Sequence, residues 1–355
     1  MSIHFSEERM AQVLDSHVRW WRGELDRPLM ALTITGAHPL RETTAPALSQ
    51  ATCGDFQWTP EQVIDALDAQ LSTLEYLGDA YPRVNFDAFG PGVLAAFCGA
   101  KLDNSSGRVW FFPDEEREIA DIHVTYDPDN VWARRVKALY RAGLERWGSG
   151  VVMGMPDLGG VMDVAATFRG SENLLMDLYD DPDEVLRLCG EIETAWRAAY
   201  DDMKSVLQPV SVGYTDWAGL LSPTPSYILQ CDFSYMIGSD MFNTFVLPTL
   251  RRDVKWLSNT IYHLDGIGEL NHLDSILTMD DLNAVQWVYG EGKPGPMHWL
   301  DVYRKIRRAG KRMMLIGRTD EILETIGALG GEGVYCALGL RADEEETARR
   351  LLAAR

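Results

Sequence analysis

TIYHLDG (260–266), HLDSILTMDDL (272–282), NAVQWVYG (283–290), MHWLDVYRKIRRAG (297–310) and KRMMLIG (311–317) make up the stretch that decides the fold. Short runs rich in β-branched and aromatic residues alternate here with segments of helical periodicity. The alternation continues through TDEILETIGALGG (319–331), GVYCALG (333–339) and DEEETARRLLAA (343–354). Regular strand–helix alternation implies parallel strands joined by right-handed helical crossovers.

Upstream, the same grammar recurs less regularly. RPLMALTITG (27–36) reads as a strand, and TPEQVIDALDAQLSTLEYLG (59–78) as a helix with Thr59 as N-cap, Pro60 at its first position and Gly78 as C-cap. GVVMGMPDLGG (150–160) reads as a buried strand entering a glycine-rich loop. Residues 171–207 read as two helices broken near Asp181-Pro182, because the residue before proline disfavours the helical region. VSVGYTDWAG (210–219) is expected to be a short strand ending at Asp216-Trp217, and 239–259 an amphipathic segment. Two architectures suit this order, a (β/α)8 barrel and an open doubly wound sheet. No G-x-G-x-x-G follows the first strand and no G-x-x-x-x-G-K-[ST] occurs, which favours the α/β barrel. The expectation is one domain over 1–355, with 1–80 as an N-terminal extension packed on the barrel.

Composition narrows the function. With 355 residues, 46% hydrophobic and 24% charged, the chain has globular proportions. Lys and Arg number 33 against 53 Asp and Glu, a net charge of −20 that repels nucleic acid and anionic lipid. The first residues lack the basic stretch and apolar run of a signal peptide. No window reaches the roughly 18 apolar residues of a membrane helix. Five scattered cysteines without a C-x-x-C pair suit a reducing compartment, so the expected location is cytoplasmic.

In a barrel, polar residues at the C-terminal ends of strands line the active site. The predicted ends carry Asp157, Asp216, His263, Asp265, Gln286, Glu291 and Cys336. His263 and Asp265, two apart on a strand, share a face and can reach one metal ion or substrate. Cys336 closes the last predicted strand. Each has a plainer reading: Asp265 can simply orient His263 or cap a helix, and a cysteine between Tyr335 and Ala337 can be a small buried hydrophobe. His272 reads as a helix-start residue. Trp217, Trp287 and Trp299 lie near strand ends, as aromatic walls or as core. The acidic stretch 114–129 reads as a solvated face.

Several long strings carry a family likeness: GELDRPLMALTITG (23–36), FGPGVLAAFCGAKL (89–102), ATFRGSENLLMDLYDDPDEV (166–185), QCDFSYMIGSDMFNTFVLPTL (230–250), YHLDGIGELNHLDSIL (262–277), NAVQWVYGEGKP (283–294) and GVYCALG. Over nearly its whole length the chain resembles the uroporphyrinogen decarboxylase superfamily, in particular its uncharacterised and corrinoid-linked methyltransferase branches. The resemblance implies a (β/α)8 barrel with an N-terminal extension. It also implies a zinc site built from an H-x-C pair and a late cysteine, where a thiol accepts a methyl group from a methylated corrinoid. His263 matches the histidine, Cys336 the late cysteine, and Asp265 stands where the family has cysteine, which makes the site harder. Asp216, Gln286 and Glu291 are then expected to contact substrate. No D-x-H-x-x-G motif occurs, so a corrinoid would be brought by a separate protein docking over the barrel mouth. A homodimer, common in the superfamily, is compatible with the charge.

The alternatives are a metal-free decarboxylase or lyase acting on a small carboxylate, with Asp216 as acid, and a non-catalytic small-molecule-binding barrel. Uroporphyrinogen decarboxylation itself fits poorly. LTITGAHPLRET (32–43) offers only Arg41 where that branch has an arginine-rich segment.

Overall fold

The computed structural model describes residue 3, residues 5–208 and residues 210–353. Eleven strands are present among them: β1 (Leu29–Thr35), β2 (Glu75–Gly78), β3 (Arg83–Val84), β4 (Lys101–Asp103), β5 (Trp110–Phe112), β6 (Val152–Met153), β7 (Ser226–Leu229), β8 (Asn259–Asp265), β9 (Ala284–Val288), β10 (Arg312–Met314) and β11 (Val334–Arg341). The main sheet runs β2-β1-β11-β10-β9-β8-β7, and all its neighbours are parallel except β2, which pairs antiparallel with β1. β3 and β6 form a separate parallel pair, and β4 and β5 a hairpin. The first and last parallel strands, β1 and β11, are therefore neighbours, with Leu29 opposite Tyr335.

The architecture is α/β with a parallel central sheet. The ladder of the expected barrel is interrupted twice. Between β6 and β7 the segment 214–216 intervenes, where the Met155 N–H donates to Thr215 O (2.9 Å) and the Ile228 N–H to Asp216 Oδ2 (2.7 Å). Between β1 and β3 the contact passes through the turn at Asp79, whose N–H donates to Met30 O (2.7 Å).

Side-chain alternation sorts the strands into two faces. Leu29, Ala31, Ile228, Ile261, Ala284, Met314, Tyr335 and Ala337 form one cluster with Trp20 and Trp21. Met30, Leu32, Leu229, Tyr262, Leu264, Val285, Trp287, Met313, Val334 and Cys336 belong to the larger cluster shared with the helices. The first face is the interior that the strands curve around.

The helix Glu7–Arg22 closes that interior from one side. Ser6 caps it by accepting the Arg9 N–H (3.1 Å), and Gly23, at φ +73°, ends it in the left-handed conformation that glycine tolerates. Trp20 Nε1–H donates to Val334 O (3.1 Å) and Trp21 Nε1–H to Leu221 O (2.9 Å). His17, fully buried, accepts the Leu221 N–H at Nδ1 (3.0 Å) and donates from Nε2 to Asp79 O (3.1 Å).

Several sequence expectations are met. The break at Asp181 separates helices Ser171–Asp180 and Pro182–Leu207, and Thr59 with Gln62 forms a capping box. Others are corrected. The helix after Thr59 ends at Leu71 rather than Gly78, because residues 75–78 leave it to pair with the β1 edge. The expected strand 210–219 is a looped segment held by an antiparallel bridge between Tyr214 and Ser222. The strand in this region is β7, which follows it. The final position of the expected last helix, residue 354, lies outside the described residues. No helix among the described residues is long and apolar enough to cross a membrane.

Candidate metal centre

β8 alternates as its sequence demands: Tyr262 and Leu264 pack outward, while His263 and Asp265 face the interior and are half-buried. His263 Nε2 lies 3.8 Å from Asp265 Oδ2. Asp232, three residues beyond β7, completes the group. One ligand atom from each of Asp232, His263 and Asp265 can be chosen so that all lie within 4.8 Å of one another.

The histidine is held by its neighbours. Its Nδ1 donates to Gln286 Oε1 on the adjacent strand β9, and Gln286 Nε2 in turn donates to Met314 Sδ (3.0 Å) on β10. Since the amide oxygen can only accept, the ring proton sits on Nδ1 and Nε2 presents its lone pair. Trp217 packs edge-on against the ring, with centroids 5.0 Å apart at 87°, which limits its rotation. An imidazole whose far nitrogen is fixed by a hydrogen bond is the usual arrangement of a metal-binding histidine.

The carboxylates are supported from behind. Asp163 accepts the N–H groups of Asp232 (3.2 Å), Phe233 (2.7 Å) and Gly160 (3.2 Å), anchoring the turn that carries Asp232. The Asp265 N–H donates to Glu269 Oε2 (3.0 Å). Burial pushes Glu269 up to about 9 and Asp163 up to about 7, and like charges add to both shifts. Burial also raises Asp232, with His263 opposing and Asp265 adding to the shift. Asp232 and Asp265 set two carboxylates beside the His263 imidazole, a donor set that favours a cation.

The remaining sequence candidates fall elsewhere. Gln286 is buried and serves His263 from the adjacent strand. Cys336 lies on the outward face: its neighbours Tyr335 and Ala337 point inward, while its own thiol is fully buried beside Tyr303 and Met313 in the helix-facing cluster. Burial pushes that thiol up to about 12, so it is a neutral S–H rather than a thiolate ligand. The structure does not bring it to His263.

Asp216 is buried but both its oxygens are taken, by the N–H groups of Ala218 (2.9 Å) and Ile228 (2.7 Å). Burial raises it to about 6. Glu291 is exposed on the loop after β9, away from the three ligand atoms. Asp157, raised to about 8 by burial, accepts the Gly159 N–H (2.9 Å). His272 stacks on Phe242 and donates to Ser234 O (2.9 Å). Arg41 is engaged with Asp65 and Asp68 on the outside of the fold. Of the tryptophans, Trp217 reaches the site, and Trp287 packs outward against Trp299.

Asp232 is the member of this cluster that sequence reading missed. Its signal is the polar Gln230-Cys231-Asp232 step after the apolar SYIL run, a strand end of the same kind as His263-Leu264-Asp265. Beside it lies a cleft of about 400 Å³, where Asp163 and Asp232 meet Trp110, Phe111, Phe233 and Met236.

Comparison with known proteins places the fold. No family model and no curated protein sequence matches the chain. Among solved structures, a methyltransferase from Methanosarcina mazei superposes with a TM-score of 0.61 at 13% identity, over 96% of this chain and 97% of that one. The two chains share an overall fold along their whole lengths.

Proposed function

We propose that this protein is a metal-dependent methyltransferase of the uroporphyrinogen decarboxylase superfamily, moving a methyl group between a small molecule and a corrinoid carried by a partner protein. The observation that carries the reading is the convergence of Asp232, His263 and Asp265 at adjacent strand ends, with His263 oriented through Gln286. The fold shared with a methyltransferase supports it. In this reading the β3–β6 pair and the six parallel strands of the main sheet are two parts of one eight-stranded barrel, with β2 outside it and segment 214–216 wedged into the seam.

The donor set, one imidazole nitrogen and two carboxylates, suits a borderline-to-hard divalent ion such as zinc. Held by Asp232, His263 and Asp265, such an ion would supply the Lewis acidity that makes a substrate thiol nucleophilic toward a methyl group at neutral pH. The chain's own residues do the rest. Gln286 keeps the His263 proton on Nδ1 and Trp217 holds the ring in place, so Nε2 stays aimed at the site. Asp163 and Glu269 fix the backbone beneath Asp232 and Asp265. With two carboxylates where the family uses thiolates, the site would donate less electron density to the ion. The metal-free decarboxylase alternative has less support, because Asp216 is buried with each oxygen accepting a backbone N–H group.

Metal analysis tests the proposal. Purified protein is expected to hold about one zinc per chain by inductively coupled plasma mass spectrometry. His263→Ala and Asp232→Ala should lose it, and Cys336→Ala should keep it. Wild-type protein that neither contains nor takes up zinc would remove the basis for the proposal.

A further inference from the structure

A second cavity, of about 230 Å³, lies among β1, β3 and β11 and is lined by Ala31, Thr33, Arg83, Gly219, Tyr335 and Ala337, among others. The space has a sequence cause. Inward-facing positions of β1 and β11 carry Ala31, Ala337 and Gly339, where β8 and β10 carry Ile261 and Met314. The only cationic side chain in the lining is Arg83, at the start of β3.

Arg83 is half-buried and makes no ion pair among the described residues. Its one hydrogen bond runs from Nη1 to the backbone oxygen of Asp216 at 3.4 Å, a long contact. The guanidinium has five N–H donors in a planar fork, so most of its capacity is unused. The two carboxylates that feel its charge do not engage it. Asp216 is occupied by backbone N–H groups, and Asp87 has Oδ1 buried without a partner. Of the three hydroxyls in the wall, those of Tyr81 and Tyr335 are already committed, to Thr215 and Ala218, and Thr33 supplies the third. A half-buried, unpaired arginine facing an open interior space is unusual, because placing an uncompensated charge away from water is costly.

Gly219 shapes the approach. At φ +78° it lies so close that a Cβ there would come within 2.6 Å of Arg83 Cζ. Glycine at this point lets the guanidinium occupy its position beside the cavity. Two residues earlier on the same segment, Trp217 packs against His263. Two residues of chain span at most about 7 Å, so the glycine beside Arg83 and the tryptophan beside His263 lie close together on one short segment.

We propose that Arg83 anchors a binding pocket for the carboxylate of a small organic acid, held by the guanidinium fork in a bidentate pair. A planar carboxylate matches the fork, and the cavity is below the 300–1,000 Å³ typical of drug-sized ligands, which restricts it to short-chain acids. Under the function proposed above, the methyl donor or acceptor is then a short carboxylate bearing a heteroatom. The anchor itself does not depend on the metal.

Calorimetric titration with propionate, inorganic phosphate and methylammonium tests the assignment on zinc-free and zinc-loaded protein. Propionate is expected to bind in preference to the other two. Arg83→Gln should weaken it by about 10-fold or more, the effect of losing a hydrogen bond to a charged group, and Arg83→Lys, which keeps the charge without the fork, should also weaken it. Gly219→Ala, which crowds the guanidinium, gives a second variant should Arg83→Gln fail to fold. His263→Ala should leave propionate binding intact, so failure of the metal site and failure of this pocket are separable. Equal propionate affinity in wild type and Arg83→Gln, tighter binding of phosphate, or no propionate binding by the folded wild type would each overturn the proposal.

Discussion

At the scale of single residues, Gln286 is the most informative side chain that does not itself reach the three ligand atoms. It is fully enclosed, and its amide is locked between His263 and Met314. Replacing it with leucine keeps the volume and removes the acceptor that fixes the ring proton on Nδ1. Such a change is expected to weaken zinc binding by about 10- to 100-fold without displacing the ligands, read by competition against a chromophoric chelator. Cys336→Ser makes the opposite prediction. A hydroxyl introduced into that apolar, fully buried position should cost about 1–3 kcal/mol of stability in denaturant titration, while metal content stays unchanged. The two outcomes follow from side-chain parity. His263 and Asp265 were legible because two residues on one strand must share a face. Cys336 was misplaced because a strand end can be read from composition while its parity cannot. One step in register separates Tyr335, inside, from Cys336, outside.

At the scale of elements, the alternation after residue 259 was readable because each strand and helix carries its own period and punctuation. The region before it was not. β7 has four residues, Ser226–Leu229, flanked by Pro225 and by a looped segment whose Val210, Val212 and Tyr214 mimic a strand pattern. Tertiary pairing decided between them, and with β7 went Asp232. The helix Glu7–Arg22 shows how such elements are tied together, since His17 bonds two backbone groups, at Asp79 and Leu221, that are far apart in sequence. Burial lowers His17 from 6.5 to about 4, with the nearby Asp79 only partly offsetting it. The imidazole is therefore neutral in the folded state. As pH falls below 6.5 the unfolded chain takes up a proton that the folded chain refuses, so stability is lost between pH 6.5 and about 4. The shift corresponds to about 3 kcal/mol. The stability gap between wild type and His17→Gln is expected to narrow by up to that amount over this range, measured by urea unfolding at each pH. A gap independent of pH would show that His17 does not stay neutral in the fold.

At the scale of the molecule, a net charge of −20 is self-repulsive in the compact state. Salt should therefore stabilise the protein: the melting temperature is expected to rise as sodium chloride goes from about 10 mM, where the screening length is about 30 Å, to 0.15 M, where it is about 8 Å. A melting temperature that falls over this range would show that attractive ion pairs outweigh the net repulsion. The same acidity bears on ligands. An anionic molecule approaches against the overall field, so the pocket at Arg83 must attract it by local geometry at short range.

The pins at the two ends of the fold also constrain how the protein is made. Trp20 bonds Val334, 314 residues later in the chain, and Trp21 bonds Leu221, 200 residues later. At ribosomal speeds of about 5–20 residues per second, the N-terminal helix waits roughly 15–60 s on the nascent chain before its docking surface exists. Throughout that interval two adjacent indole rings, buried in the finished protein, are exposed to the surrounding medium. Chaperone engagement during synthesis should therefore centre on this helix, and a chain truncated before Val334 should emerge with the pair still uncovered.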